Sequence, residues 1–147
     1  MAYSIHIVEE SCVADGFVNM VKKHIWPEYT HKQFFWFNLF LYSFHVLSII
    51  LYETFGGHWA LLPLSFSWMF VTNGLWHLLG SIAYKSYSPG LATSPLYWIL
   101  MRFIIKHQQA TLISRTQMIS ALLLGTLFTI LMVASLYLGR ILYRQRK

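Results

Sequence analysis

Acidic side chains are scarce in this chain: five Asp and Glu stand against eleven Lys and Arg in 147 residues. Charged residues make up 11%, under half of the roughly 25% of an average soluble domain, which argues against a surface wetted all round. The single Cys12 excludes an internal disulfide framework. Glu9, Glu10 and Asp15 fall where the apolar h-region of a signal peptide would lie, so no cleavable leader is expected. Neither a fixed-period repeat nor a low-complexity segment occurs, and one domain over residues 1–147 is the natural count.

What the chain has is apolar and aromatic surface. Hydrophobic residues reach 56%, and the six Trp and nine Tyr belong to types that collect at membrane–water interfaces. The net charge of +6 does not read as a nucleic-acid footprint, because the basic residues gather at the ends of apolar stretches, as in a topology signal. Four such stretches are expected to be transmembrane helices: 34–52, 59–84, 91–106 and 118–139. The third is short and contains Arg102, so it spans only by recruiting residues 91–93 or by letting Arg102 snorkel. A partly polar helix over 1–24 precedes them and a basic tail, 140–147, follows. The fold class expected is therefore all-α, an integral membrane helix bundle of four transmembrane helices with the N-terminal helix packed into it. With four crossings and a cytoplasmic tail, eight of the eleven Lys and Arg fall on the inner side.

Ionisable residues inside this apolar background mark a candidate site. His6, Glu9 and Glu10 are spaced i, i+3 and i, i+4, which places them on one helix face. Asn73 and His77 form a second i, i+4 pair. At about 1.5 Å per helical residue, Asn73 lies roughly 18 Å from Lys85, and Glu10 lies about 18 Å from Lys22. His77, His45 and His6 fall in or near the same layer. Imidazole and carboxylate ligands suit zinc, and two His with a carboxylate also suit iron or manganese. His6, Glu10 and His77 are the candidate metal ligands, Glu9 and Glu10 the candidate catalytic carboxylates, and Asn73, Tyr87 and His45 candidate substrate contacts. A metal-free version, with Glu9 or Glu10 as general base and His77 as partner, is equally drawable. Pro89-Gly90 reads as the centre of a type II turn, with Tyr87 at the mouth of the site.

In order, His6-Ile7-Val8-Glu9-Glu10, Asn73-Gly74-Leu75-Trp76-His77 and Tyr87-Ser88-Pro89-Gly90 resemble the HxxEE, NxxxH and YxPG motifs of the HXXEE family. The resemblance brackets residues 6 to 90 and implies a small helical membrane protein with a His/Glu site, without a reaction attached. The paired glutamates are also similar to those of CAAX-type intramembrane proteases, but that motif needs an Arg where this chain has Ala14, which leaves an analogy.

The function expected is a membrane-embedded, metal-dependent enzyme, a hydrolase or isomerase, acting on a lipid or other apolar substrate by hydrolysis or proton transfer. The alternatives are a membrane protein that binds or transports a small ligand or cation, and a structural membrane subunit. Membrane lipids are the expected surroundings, and nucleic acid is not an expected partner.

Overall fold

The computed structural model describes residues 2–107 and 113–145, and every regular element among them is helical. Six α-helices follow in order: α1 Ala2–Cys12, α2 Gly16–His24, α3 His31–Phe55, α4 Leu61–Tyr84, α5 Ser94–His107 and α6 Arg115–Gln145, with a 3₁₀ turn at Gly57–Ala60 between α3 and α4. Arg146 and Lys147 of the basic tail lie outside the described residues. Two helices, α3 and α6, are long and apolar enough to cross a membrane. Their apolar side chains stay uncovered: Phe40 is 64% exposed and Leu123 69%, values that water would penalise along a whole helix face.

The single helix expected over 1–24 is in fact two. Ala14 and Gly16 both adopt positive φ, 52° and 75°, and this pair of left-handed residues ends α1 and redirects the chain into α2. A capping box then starts α3, in which Thr30 and Gln33 satisfy each other's backbone N–H groups.

The helix at the centre is α4, which packs against α3, α5 and α6 and buries nine side chains, among them Ser65, Met69, Phe70, Asn73 and His77. Contact with α6 is very close at Gly125, where a Cβ would come within 2.4 Å of the Ser65 carbonyl oxygen. Pro63 sits in the first turn of α4, where its missing N–H has no intrahelical acceptor to lose.

After α4 the chain turns back on itself. Lys85 adopts positive φ and closes the helix, and the segment 85–93 folds back along α4. The start of α5 is then level with the middle of α4: a Cβ on Gly74 would lie 2.9 Å from the Ser94 Cβ. From there α5 runs antiparallel to α4 until Ile104 packs beside Ala60 and Leu64. Residues 91–93, which the sequence reading recruits into the third span, form a turn instead. At 14 residues, α5 is about 21 Å long, short of the roughly 30 Å of a bilayer core.

The Gly125 contact gives a stability test. Gly125→Ala must push α6 away from the α4 backbone, and the expected cost is about 1–3 kcal/mol, read as a lower melting temperature in detergent. An unchanged melt would mean that the two helices are further apart than described.

Candidate functional site

Folding back the 85–93 segment places several backbone N–H groups in the interior, and these need acceptors. Glu9 supplies them. Its Oε1 accepts from Gly90 N at 2.9 Å and Ala92 N at 3.0 Å, and its Oε2 accepts from Thr93 N at 2.7 Å. The Tyr87 phenol donates to the same carboxylate. Three backbone donors and a hydroxyl favour the ionised form, and the positive end of the α5 dipole adds to this. Both oxygens of Glu9 are thus engaged in holding the turn and the start of α5.

One residue on, Glu10 faces the other way, 6% exposed, toward two imidazoles. Its Oε1 lies 3.6 Å from His6 Nε2 and 3.4 Å from His77 Nε2, and both histidines are completely buried. The remaining ring nitrogens are held from outside. His6 Nδ1 meets Thr93 Oγ1 at 2.7 Å, and His77 Nδ1 meets Ser88 Oγ at 3.1 Å. The hydroxyls pass the network on: Thr93 donates to the Gly90 carbonyl and Ser88 to the Met20 sulfur, so each accepts from its imidazole. The Asn73 amide nitrogen, which can only donate, lies 3.3 Å from His6 Nε2 and 3.2 Å from His77 Nε2. With the hydroxyls and the Asn73 amide in these roles, each ring carries its proton on Nδ1 and turns an Nε2 lone pair inward.

Three lone-pair atoms, from His6, Glu10 and His77, thus converge within 4.8 Å of one another in a buried space. A cation or a shared proton is what makes such an arrangement favourable. Ligand atoms bound at about 2.0–2.1 Å around one tetrahedral ion lie roughly 3.3 Å apart, close to the 3.6 Å and 3.4 Å from Glu10 to the two imidazoles. A metal-binding histidine usually donates its far ring N–H to a carboxylate, a carbonyl or water, and here a hydroxyl takes that place on each imidazole.

Gly90 makes the convergence possible. Its φ of +104° is disfavoured for any L side chain, and a Cβ there would lie 2.7 Å from His6 Cε1 and 2.8 Å from His77 Nε2. The turn itself is the one expected, with Leu91 N donating to the Ser88 carbonyl across Pro89 and Gly90.

The structure brings together His6, Glu9, Glu10, Asn73, His77 and Tyr87. His45 it leaves apart, with its ring edge-on to Phe66 and Phe70. Sequence reasoning assigned nothing to Thr93 or Ser88. Ser88 stands at the unspecified position of YxPG and could have been suspected, whereas nothing local marks Thr93. A cavity of about 40 Å³ opens beside the cluster, lined by Glu10, His6, Asn73, Tyr29 and Asn38 at one end and by apolar residues of α3 and α6, including Phe37 and Met132. It exceeds the roughly 15 Å³ that one water needs.

Over residues 1–105 the chain matches the family described as a protein of unknown function with HXXEE motif, and it belongs to that family. The match ends within α5, so α6 lies beyond it. No curated protein and no solved structure matches the chain.

The two glutamates should respond oppositely to amidation. Glu9→Gln turns an amide N–H₂ toward N–H donors, and the expected loss is about 2 kcal/mol or more. Glu10→Gln instead offers donors to the Nε2 lone pairs, so metal-stripped protein should melt no lower than wild type. Thermal melts of both variants in detergent with chelator check this, and equal losses would overturn the division.

Proposed function

We propose that this protein is a multi-pass membrane protein whose His6, Glu10 and His77 hold a divalent metal, zinc or else iron or manganese, and that it acts on a lipid or other apolar substrate by hydrolysis or proton transfer. The observation that carries the reading is the convergence of three inward lone pairs whose imidazoles are held in the ligating tautomer by Thr93 and Ser88. A bound ion of this kind supplies Lewis acidity toward a carbonyl or phosphoryl oxygen and activates water.

The chain's own residues divide the remaining work. Glu9 fixes the turn that carries Ser88, Gly90 and Thr93. Asn73, in contact with both Nε2 atoms, orients the substrate oxygen or the water beside them. Glu10 would offset part of a bound ion's charge through Oε1, and its second oxygen is the carboxylate oxygen left to take a proton, since both oxygens of Glu9 are engaged. Apolar walls from α3 and α6 beside the cluster suit a substrate that arrives from hydrocarbon and not from water.

In the four-crossing arrangement, α3, α4 and α6 span, and α5 completes its crossing together with the 85–93 turn. Irregular backbone at bilayer depth is tolerated only where protein groups satisfy it, which is the service Glu9 performs. The eight-to-three division of Lys and Arg then favours a cytoplasmic C-terminus.

A second reading, a cation-binding or structural membrane protein without turnover, draws on the complete burial of His6 and His77. Such a protein would keep its metal and produce no chemical change in lipid. Mass spectrometry of a lipid extract incubated with wild type and Glu10→Gln in vesicles separates the two readings.

Elemental analysis of detergent-purified protein should find about one equivalent of a divalent metal, lost in His77→Ala and in Glu10→Gln. Full retention in both variants would overturn the assignment. For orientation, His58→Cys in a Cys12→Ser background should react with an impermeant thiol reagent added outside intact cells. Labelling only after the cells are opened would reverse the topology.

A further inference from the structure

A second cavity, of about 200 Å³, lies on the other side of the stacked Tyr3 and Phe70 rings, between α3, α4 and α5. No Asp, Glu, Lys or Arg lines it. Its walls are apolar or aromatic, with Val46 and Ile49 from α3 and Leu100 and Met101 from α5. Two of its lining residues nonetheless bring polar atoms that are buried and have no hydrogen-bond partner among the described residues: His45 Nδ1 and the Tyr97 hydroxyl.

Each such atom costs about 1–3 kcal/mol if nothing meets it. Both rings rest on Phe70, His45 edge-on and Tyr97 stacked, with centroids 5.1 Å and 5.2 Å from it. Tyr97 is 4% exposed, so bulk solvent does not reach its hydroxyl. The space is larger than the roughly 150 Å³ that accommodates a benzene molecule in an apolar protein interior. On the outer side, Ile49 and Leu100 are 39% and 50% exposed and flank a gap between α3 and α5. An apolar chain can leave the cavity there.

We infer that this cavity is a binding site for an uncharged apolar molecule carrying a single hydroxyl, such as a long-chain or polycyclic alcohol. A hydroxyl both donates and accepts, so it can meet the His45 ring nitrogen in either tautomer or accept from the O–H of Tyr97. No acidic or basic side chain of the lining is there to hold a charged headgroup, and a plain hydrocarbon leaves both polar atoms unmet. The site stands apart from the proposed metal centre, divided from it by Tyr3 and Phe70, and does not depend on a metal being bound. It does give Tyr97 two faces, because the same ring packs edge-on against His6 at 5.2 Å.

The test uses a diazirine-bearing long-chain alcohol on the full-length protein in detergent micelles. Photolabelling should map to the Val46–Ile49 and Leu100–Met101 segments, and hexadecanol should compete while hexadecane does not. Tyr97→Phe should cut the labelling about fivefold, the equivalent of one hydrogen bond of roughly 1 kcal/mol. His45→Leu should do the same. Metal content should be unchanged in Tyr97→Phe, and without alcohol this variant should melt no lower than wild type, since its hydroxyl has no partner to lose. Competition by hexadecane equal to that by hexadecanol would reduce the cavity to a generic acyl groove and overturn the proposal. Wild-type labelling of Tyr97→Phe would overturn it, and so would a lower melt of that variant without alcohol, which would reveal a partner already present.

Discussion

The carboxylate of Glu9 is the contact on which the other arrangements depend. A chain that folds back between two helices brings peptide N–H groups into the interior, and each one left unmet costs about as much as a lost hydrogen bond. Gly90, Ala92 and Thr93 present three of them, and one side chain from the first helix answers all three. Without that anion the turn at Pro89-Gly90 has no reason to remain inside the bundle. With it, Ser88 and Thr93 are delivered to the two imidazoles, and Gly90 passes so close to both rings that no larger residue fits.

The two adjacent glutamates thus do unlike things because their carboxylates diverge from neighbouring positions of α1, one to the 90–93 backbone and one to the two imidazoles. Glu9 meets donors and is consumed by them, whereas Glu10 meets lone pairs and is left needing a cation or a proton. Asn73 lies on the boundary between these environments and completes the ring of contacts around both Nε2 atoms. The proposed metal chemistry follows from this asymmetry more than from the residue types, since His and Glu side by side are common without any ion.

Much of this was legible in the chain. Helical spacing put His6 with Glu10 and Asn73 with His77, and counting rise per residue placed the two pairs at one depth before any coordinates were considered. The helices at 31–55, 61–84 and 115–145 were visible as the apolar runs 34–52, 59–84 and 118–139. Other features were not visible, for identifiable reasons. Spacing makes Glu9 and Glu10 equivalent partners of His6, and only the return of a segment some eighty residues away tells them apart. The break at Ala14 has no proline to announce it, because the left-handed conformation there falls on an alanine and only then on Gly16. Thr93 is one threonine among several until its hydroxyl is seen against His6. His45 packs on Phe66 and Phe70, the same stripe of α4 as Asn73 and His77 but about two turns nearer its start, so counting each helix from its own basic end grouped it with residues that sit at another height.

The short α1 also carries a consequence for biosynthesis. Its eleven residues leave the ribosome well before α4 and α5, but the groups that receive His6, Glu9 and Glu10 lie between Asn73 and Thr93. Until Thr93 has been made, the first helix has no seat, and its two carboxylates must wait where water can solvate them. A segment made before its seat is therefore docked after it, and it closes the bundle like a bolt drawn after the door is hung. Anything that holds α1 away from the bundle should leave α3, α4, α5 and α6 assembled around an unfinished centre.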